Sequence, residues 1–259
     1  MPKISIVMSV YNGEKFIEET LLSIMNQTLQ DFELIIVDNS STDTTGAIAK
    51  QFADTYPNVI YVYNEIKTKF SFPYGLNKGF ALATGEYWTK IDGDDLLYPN
   101  ALERMAFELD TNPEVDFVYC EMEIIDENGQ FIKYSKTRPP DELIFYNFIG
   151  NCLLFRASLA KKVGKFSENN EDLVFVEDYD YWLRCNKIGV LKPIYEYLFR
   201  YRTHQGNTTN HHEKEMIRKA IQLQKSYYNQ YITSRRKAAL FYAYVRSRDI
   251  FNPLRQGYL

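Results

Sequence analysis

Three carboxylates fall within four residues at Asp92-Gly93-Asp94-Asp95, directly after the apolar run Tyr87–Ile91. Carboxylates this close repel one another, and their proton affinity rises unless a cation sits among them. Oxygen donors at this density suit a hard divalent ion, Mg or Mn. A second acidic run, Glu177-Asp178-Tyr179-Asp180-Tyr181-Trp182, sets carboxylates beside aromatic rings. Such surroundings raise proton affinity and suit general-base work. Asp178 and Asp180 do not share one helix face, so Glu177 or Asp178 is the group expected to face a cleft. His204 offers a nitrogen to a metal site or a contact to phosphate. Tyr11 presents a ring for stacking on a base. Asp38 can accept a hydrogen from a base N–H or a ribose hydroxyl. Each group also has a structural alternative: an acidic turn, a helix start favoured by the dipole, a sheet-edge tyrosine, a cap or a packed histidine.

The elements that must position these groups alternate. Lys3–Val10, Phe32–Val37, Val59–Tyr63 and Tyr87–Ile91 read as strands, the first two continuous and apolar. Between them lie helical patterns over Glu14–Asn26, Thr44–Ala53 and Tyr74–Ala83, with Thr42-Asp43 as a helix start. Such alternation implies an α/β fold with a mixed, mostly parallel sheet flanked by helices. Its ligands belong beyond the carboxyl ends of the strands, where Tyr11, Asp38 and the 92–95 run fall. A helix start follows Pro99, with Asn100 as cap. Glu127-Asn128-Gly129 reads as a hairpin turn between Asp116–Ile125 and Phe131–Tyr134. Cys152–Phe155 and Ile194–Tyr201 are further strands, and Tyr179–Asn186 a helix. From His212 to Ser247 the pattern gives two helices joined near Ile232–Ser234. We expect one domain at 1–209, with a nucleotide-binding half at 1–112 and an acceptor half at 113–209. Residues 210–259 then form a basic helical C-terminal extension.

The chain has 259 residues, 45% apolar and 25% charged, with 21 Tyr and 17 Phe. No run is long and apolar enough to cross a bilayer, and the N-terminus lacks signal-peptide zones. Cys120, Cys152 and Cys185 are odd in number and widely spaced, so they read as reduced thiols of a cytoplasmic protein. Residues 210–259 carry ten Lys/Arg against three acids, so the remainder is more acidic than the net charge of −4 suggests. An acidic body argues against nucleic acid as a partner. The basic tail suits either a peripheral contact with the inner membrane leaflet or a solvated pair of helices or homodimer surface. Neither Gly-x-Gly-x-x-Gly nor a Gly-Lys-Ser/Thr phosphate loop is present, so a metal at 92–95 would neutralise phosphate oxygens directly.

Taken together, Ser-Ile-Val-Met-Ser-Val-Tyr-Asn (5–12), Gln27-Thr28, Phe32–Asp38, Ser41-Thr42-Asp43, Asn77-Lys78-Gly79, Ala83–Tyr87, Asp92–Asp95, Glu177–Asp180 and Tyr201-Arg202-x-His204 resemble the family 2 glycosyltransferases. The resemblance covers about residues 3–209. It implies the GT-A fold, a Rossmann-like sheet with flanking helices. It also implies inverting transfer from a nucleotide-diphosphate sugar, usually UDP-linked, with Mg or Mn, to a glycan or lipid-linked saccharide in cell-surface polysaccharide synthesis. Carried over, Tyr11 and Asp38 sit at base and ribose, and Asp92 and Asp94 form the Asp-x-Asp pair, with Asp94 the direct metal ligand. Asp178 matches the catalytic base and His204 a metal or diphosphate contact. Ser9, Asn77 and Lys78 fall in matched stretches and are expected around the donor. Asn39 stands where the family often has a second acid, and Leu76 where it often has arginine, whose charge Lys78 or Lys69 would replace. A sugar nucleotidyltransferase and a non-catalytic nucleotide-sugar-binding assembly protein are the rival readings. The first is expected to carry a Gly-rich basic loop after strand one, where Tyr11-Asn12-Gly13-Glu14 stands.

Overall fold

Alternation decides which way the first strand faces. Ile4, Ile6, Met8 and Val10 of β1 (Ile4–Val10) bury against α1 (Ile17–Met25) and α4 (Ala101–Thr111) on one side of the sheet. Val7 points to the other side, which is covered by α3 (Ser71–Phe80), α5 (Ala157–Val163) and α6 (Glu177–Ile188). Both faces are therefore apolar, as a strand covered by helices on both sides requires. The computed structural model describes residues 1–65 and 70–231, with side chains up to Tyr227. The expected second C-terminal helix and Lys69 lie outside the described residues.

β1, β2 (Phe32–Asp38), β3 (Val59–Tyr63) and β4 (Tyr87–Lys90) are all parallel, in the order β3-β2-β1-β4. Val10 lies opposite Asp38 and Val7 opposite Lys90, so three strands end along one edge. The sheet continues through β8 (Leu153–Arg156), β6 (Phe117–Ile125), β9 (Leu191–Arg202) and the two-residue β5 (Leu96–Leu97). Here β8 runs antiparallel to both β4 and β6, while β9 is parallel to β6. The hairpin from β6 to β7 (Phe131–Ser135) turns where the Asn-Gly pair predicts. Gly129 has φ +79°, and Asp126 Oδ1 accepts from the Asn128 and Gln130 N–H groups.

Several boundaries move for local reasons. α3 begins at Ser71, because Pro73 is tolerated in a first turn. It also lies very close to β1: a Cβ on Gly75 would collide with Ser9 Oγ and stand 2.7 Å from Asn39 Oδ1. Asn100 holds the position before α4, but its side chain makes no capping bond. Asp43 does start α2 (Thr45–Thr55), accepting from the Thr45 N–H at 3.0 Å. The seven-residue α5 has no counterpart in the sequence reading.

The cysteine expectation needs correcting. Cys120 and Cys152 are joined as a disulfide, with Cα atoms 5.6 Å apart, and only Cys185 is free. Pairing of β6 with the approach to β8 sets the two face to face, the Cys120 N–H donating to the Cys152 carbonyl. A separation of 32 residues hid this neighbourhood. Two of the three cysteines thus give no support to a reducing compartment.

α7 (Thr208–Tyr231), kinked at His212, packs back on the domain. Lys219 Nζ donates to the carbonyls of Glu171 and Val174, and the Tyr227 hydroxyl to Asp180 Oδ1 at 3.0 Å. Among the described residues no helix is long and apolar enough to cross a membrane.

Candidate active site

The turn after β4 is held by its last acid. Asp95 is fully buried; its Oδ1 accepts from the Arg202 N–H at 2.9 Å and its Oδ2 from Asn151 Nδ2 at 3.0 Å. Burial pushes its carboxyl well above the ordinary range, and the charges of Asp94 and Asp92 push the same way. Arg202, itself 1% exposed, donates to the Asp94 carbonyl, the Glu127 carbonyl and Glu19 Oε2. One arginine thus ties the acidic turn to the hairpin, to α1 and to the end of β9. Asp92 and Asp94 are left at the surface of this frame, their side chains 29% and 25% exposed.

The two acidic runs meet at Lys90. This lysine ends β4, is 1% exposed, and reaches Asp178 Oδ2 at 3.1 Å and Asp92 Oδ1 at 3.4 Å. Its third contact is Asn151 Oδ1 at 2.5 Å, and Asn151 also donates to Asp92 Oδ2 at 2.7 Å. Burial alone would push the amine down, but Asp178 and Asp92 outweigh it and hold Lys90 above the usual lysine value. Burial raises Asp92 against the pull of Lys90, with Asp94 and Asp178 adding to the rise.

Asp178 enters from the first turn of α6, where the dipole favours anions. The residue two before α6, Phe175, holds φ +72°, an unusual conformation for a side chain of this size. α7 braces it: His212 stacks on Phe175 at 4.1 Å, and Lys219 Nζ lies 5.6 Å from the ring. Asp178 Oδ1 and Glu177 Oε2 are both buried without a hydrogen-bond partner among the described residues. Glu177 is pushed up to about 7, first by burial and then by the Asp178 charge beside it.

His204 faces Asp94, Nε2 to Oδ2, at 2.9 Å, and Asn207 Nδ2 reaches the same oxygen at 3.2 Å. The Gly206 N–H donates to His204 Nδ1, so the neutral ring carries its proton on Nε2 and donates to Asp94. A metal-ligating histidine usually donates through its second nitrogen, so His204 would have to give up the Gly206 contact to bind an ion. Among the described residues the bonds to the Asp94 carboxylate fall on Oδ2, which leaves Oδ1 as an oxygen donor. Among the described residues no three His, Cys, Asp or Glu side chains form a cage. Carboxylate oxygens such as those of Asp94 and Asp92 are donors of the hard kind that Mg or Mn takes, alongside phosphate oxygens and water. In donor type these residues fit the ion.

The other expected residues divide. Tyr11 stands 57% exposed beyond β1. Asn12 behind it, at φ +49°, accepts from the Thr42 N–H and tethers this loop to the one after β2. Asp38 is 2% exposed; its oxygens accept from the Ser41 N–H and the Tyr61 hydroxyl, both at 2.9 Å. Ser9 donates to the Phe72 carbonyl and accepts from Asn39, which in turn accepts from Asn64. Asn77 bonds Phe166 and Glu168 and so anchors the loop after α5, while Lys78 donates to the Tyr63 carbonyl. Lys90, Asn151 and Arg202 carry the site's frame and were assigned no role from sequence. For Lys90 a signal existed: a charge inside an otherwise buried strand must find partners.

Residues 5–177 match the family described as Glycosyl transferase family 2. An uncharacterised glycosyltransferase of Rickettsia typhi is 33% identical over 220 residues, which span 81% of this chain and 66% of that protein. S. aureus TarS 1–349, in complex with UDP-GlcNAc, superposes with a TM-score of 0.68 at 21% identity, over 79% of this chain and 60% of its own. The mannosyltransferase PcManGT from Pyrobaculum calidifontis, in complex with GDP-Man and Mn2+, gives 0.62 at 21% identity, over 85% and 64%. These two structures share the fold, a GT-A architecture. The chain spans about two thirds or less of the length of these three proteins.

Proposed function

The chain belongs to glycosyl transferase family 2, and we propose that it moves a sugar from a nucleotide-diphosphate donor, UDP-linked, to a hydroxyl of a glycan or lipid-linked saccharide, with inversion. The observation that carries this reading is the placement of Asp92 and Asp178 on one buried ammonium, Lys90 Nζ. The carboxylates read here as donor-side and base-side, far apart in sequence, thereby lie within reach of one side chain.

Tyr11 stacks on the base, its exposed ring being free to do so; stacking of this kind contributes about 1–3 kcal/mol. Asp94, through Oδ1, together with the diphosphate would hold Mg or Mn, whose charge stabilises the departing nucleotide. His204 Nε2–H donates to Asp94 or to a phosphate oxygen. On the other side of the sugar, Asp178 takes the proton of the acceptor hydroxyl. That oxygen bonds to the anomeric carbon as the bond to the phosphate oxygen breaks, its electron pair leaving with the nucleotide, so the configuration inverts. A well-placed base contributes typically ~10²–10⁴-fold.

The test is a panel of UDP- and GDP-sugars, each incubated with Mn2+ or with EDTA, following release of the nucleoside diphosphate. The expected result is metal-dependent release from a UDP-sugar, with an inverted anomeric proton coupling in the product. Release undiminished by EDTA would remove the metal, and a retained anomer would remove the single displacement.

A further inference from the structure

Lys90 does more than neutralise. Its ammonium has three N–H bonds and three acceptors: Asp178 Oδ2, Asp92 Oδ1 and Asn151 Oδ1. The chain leaves it no other direction to point, since the side chain is fully buried and passes under the Phe72 ring, 5.3 Å from its centroid. Asn151 is saturated in the same way, donating to Asp92 and Asp95 while accepting from Lys90. Asp178 itself has Lys90 as its one side-chain partner among the described residues, its other oxygen being orphaned. The charged groups facing it are Lys90 from β4, Asp92 beyond β4, and Glu177 from its own helix.

We infer that Lys90 is a positioning residue for the transfer step: it fixes the Asp178 carboxylate relative to Asp92, so that one buried ammonium sets the distance between the base and the donor grip. The inference rests on the reading of Asp178 as the base. Displacement of a reacting group by about 1 Å costs on the order of 10²-fold in rate, and an unanchored aspartate on a first helical turn has that freedom. Lysine suits the task because its ammonium is a compact point charge with rotatable donors, whereas the arginine fork imposes its own planar geometry.

The experiment uses the full chain and compares Lys90→Met, Lys90→Arg, Asp178→Asn and the double variant Lys90→Met/Asp178→Asn. UDP release from UDP-GlcNAc in Mn2+ gives turnover, calorimetric titration with UDP gives donor affinity, and crystals of Lys90→Arg give the Asp178 orientation. We expect both Lys90 variants to lose ~10²-fold in kcat with UDP affinity within about threefold of native. In Lys90→Arg the Asp178 carboxylate should turn away from Asp92. In the Asp178→Asn background, Lys90→Met should change the residual rate by less than about threefold, because the group it positions is already gone. If the Met variant does not fold, the Arg variant alone decides. Native kcat in Lys90→Arg, or losses that multiply in the double variant while Asp178→Asn is impaired, would overturn the role of Lys90 and leave the base reading standing. Native turnover in Asp178→Asn would overturn both.

Discussion

The polar groups under the ends of β1 and β2 and those around β4 and α6 both include aspartates, in opposite states. Under β1 and β2, Ser9, Asp38, Asn39 and Asn64 are 1–4% exposed and engaged with one another, with backbone or with Tyr61. Around β4 and α6, carboxylates share one ammonium, and among the described residues Asp178 Oδ1 and Glu177 Oε2 are buried without partners. A saturated network rigidifies its surroundings, while an unsatisfied one carries a cost that a fold keeps only for a reason. Under the proposed function the first region supports the loop that carries Tyr11, and the second is where charge would move.

Substitutions break this contrast in graded steps. Asp178→Asn should cut transfer by about 10²–10⁴-fold while UDP binding stays near native; full turnover in a donor-release assay would move Asp178 into the frame. Asp94→Ala should abolish the Mn2+ dependence of donor affinity, weakening it on the order of 10²-fold in saturating Mn2+, as read by metal titration with UDP. Equal affinity with and without Asp94 would detach that carboxylate from the cation. Asn39→Ala lies in the frame, so stability should suffer rather than chemistry. It removes the Asn39 side-chain bonds to Ser9 and Asn64 and should cost about 1–3 kcal/mol in urea unfolding, with kcat per folded molecule unchanged.

The smallest effect is the most diagnostic for the orphaned oxygens. Burial, and then the Asp178 charge, push the Glu177 carboxyl up to about 7 from an ordinary 4.5. The folded state therefore binds more protons between those values, and stability falls as pH rises through that window. Glu177→Gln removes the titration, so its melting temperature relative to native should rise between pH 4 and pH 8, by the equivalent of about 1–2 kcal/mol. A pH-independent difference would place Glu177 among ordinary, solvated carboxylates.

Much of this was legible in the chain. The strands β1 to β4 announce themselves as apolar runs, and the hairpin as Asn-Gly between alternating segments. The acidic runs at 92–95 and 177–180 stand out by density alone. Asn77 and Asp38 are expected at the donor from sequence; the fold adds partners that sequence did not offer, Phe166 and Glu168 for Asn77, Ser41 and Tyr61 for Asp38. Those partners are 3 to 91 residues away, and the distant ones become neighbours only when the chain folds. Cys120 and Cys152 looked separate because their meeting depends on strand pairing rather than spacing.

By itself the sequence determined periodicity, turn chemistry and the inventory of charged groups, because these depend on neighbours within a few bonds of one another. Which charges face each other was decided only by the tertiary structure. Lys90 finds Asn151 across 61 residues and Arg202 finds Asp95 across 107. Such pairings are chosen by desolvation: a buried charge is tolerated where an opposite charge or a dipole already waits. That condition belongs to a place in space, and two sheet halves must close before the place exists.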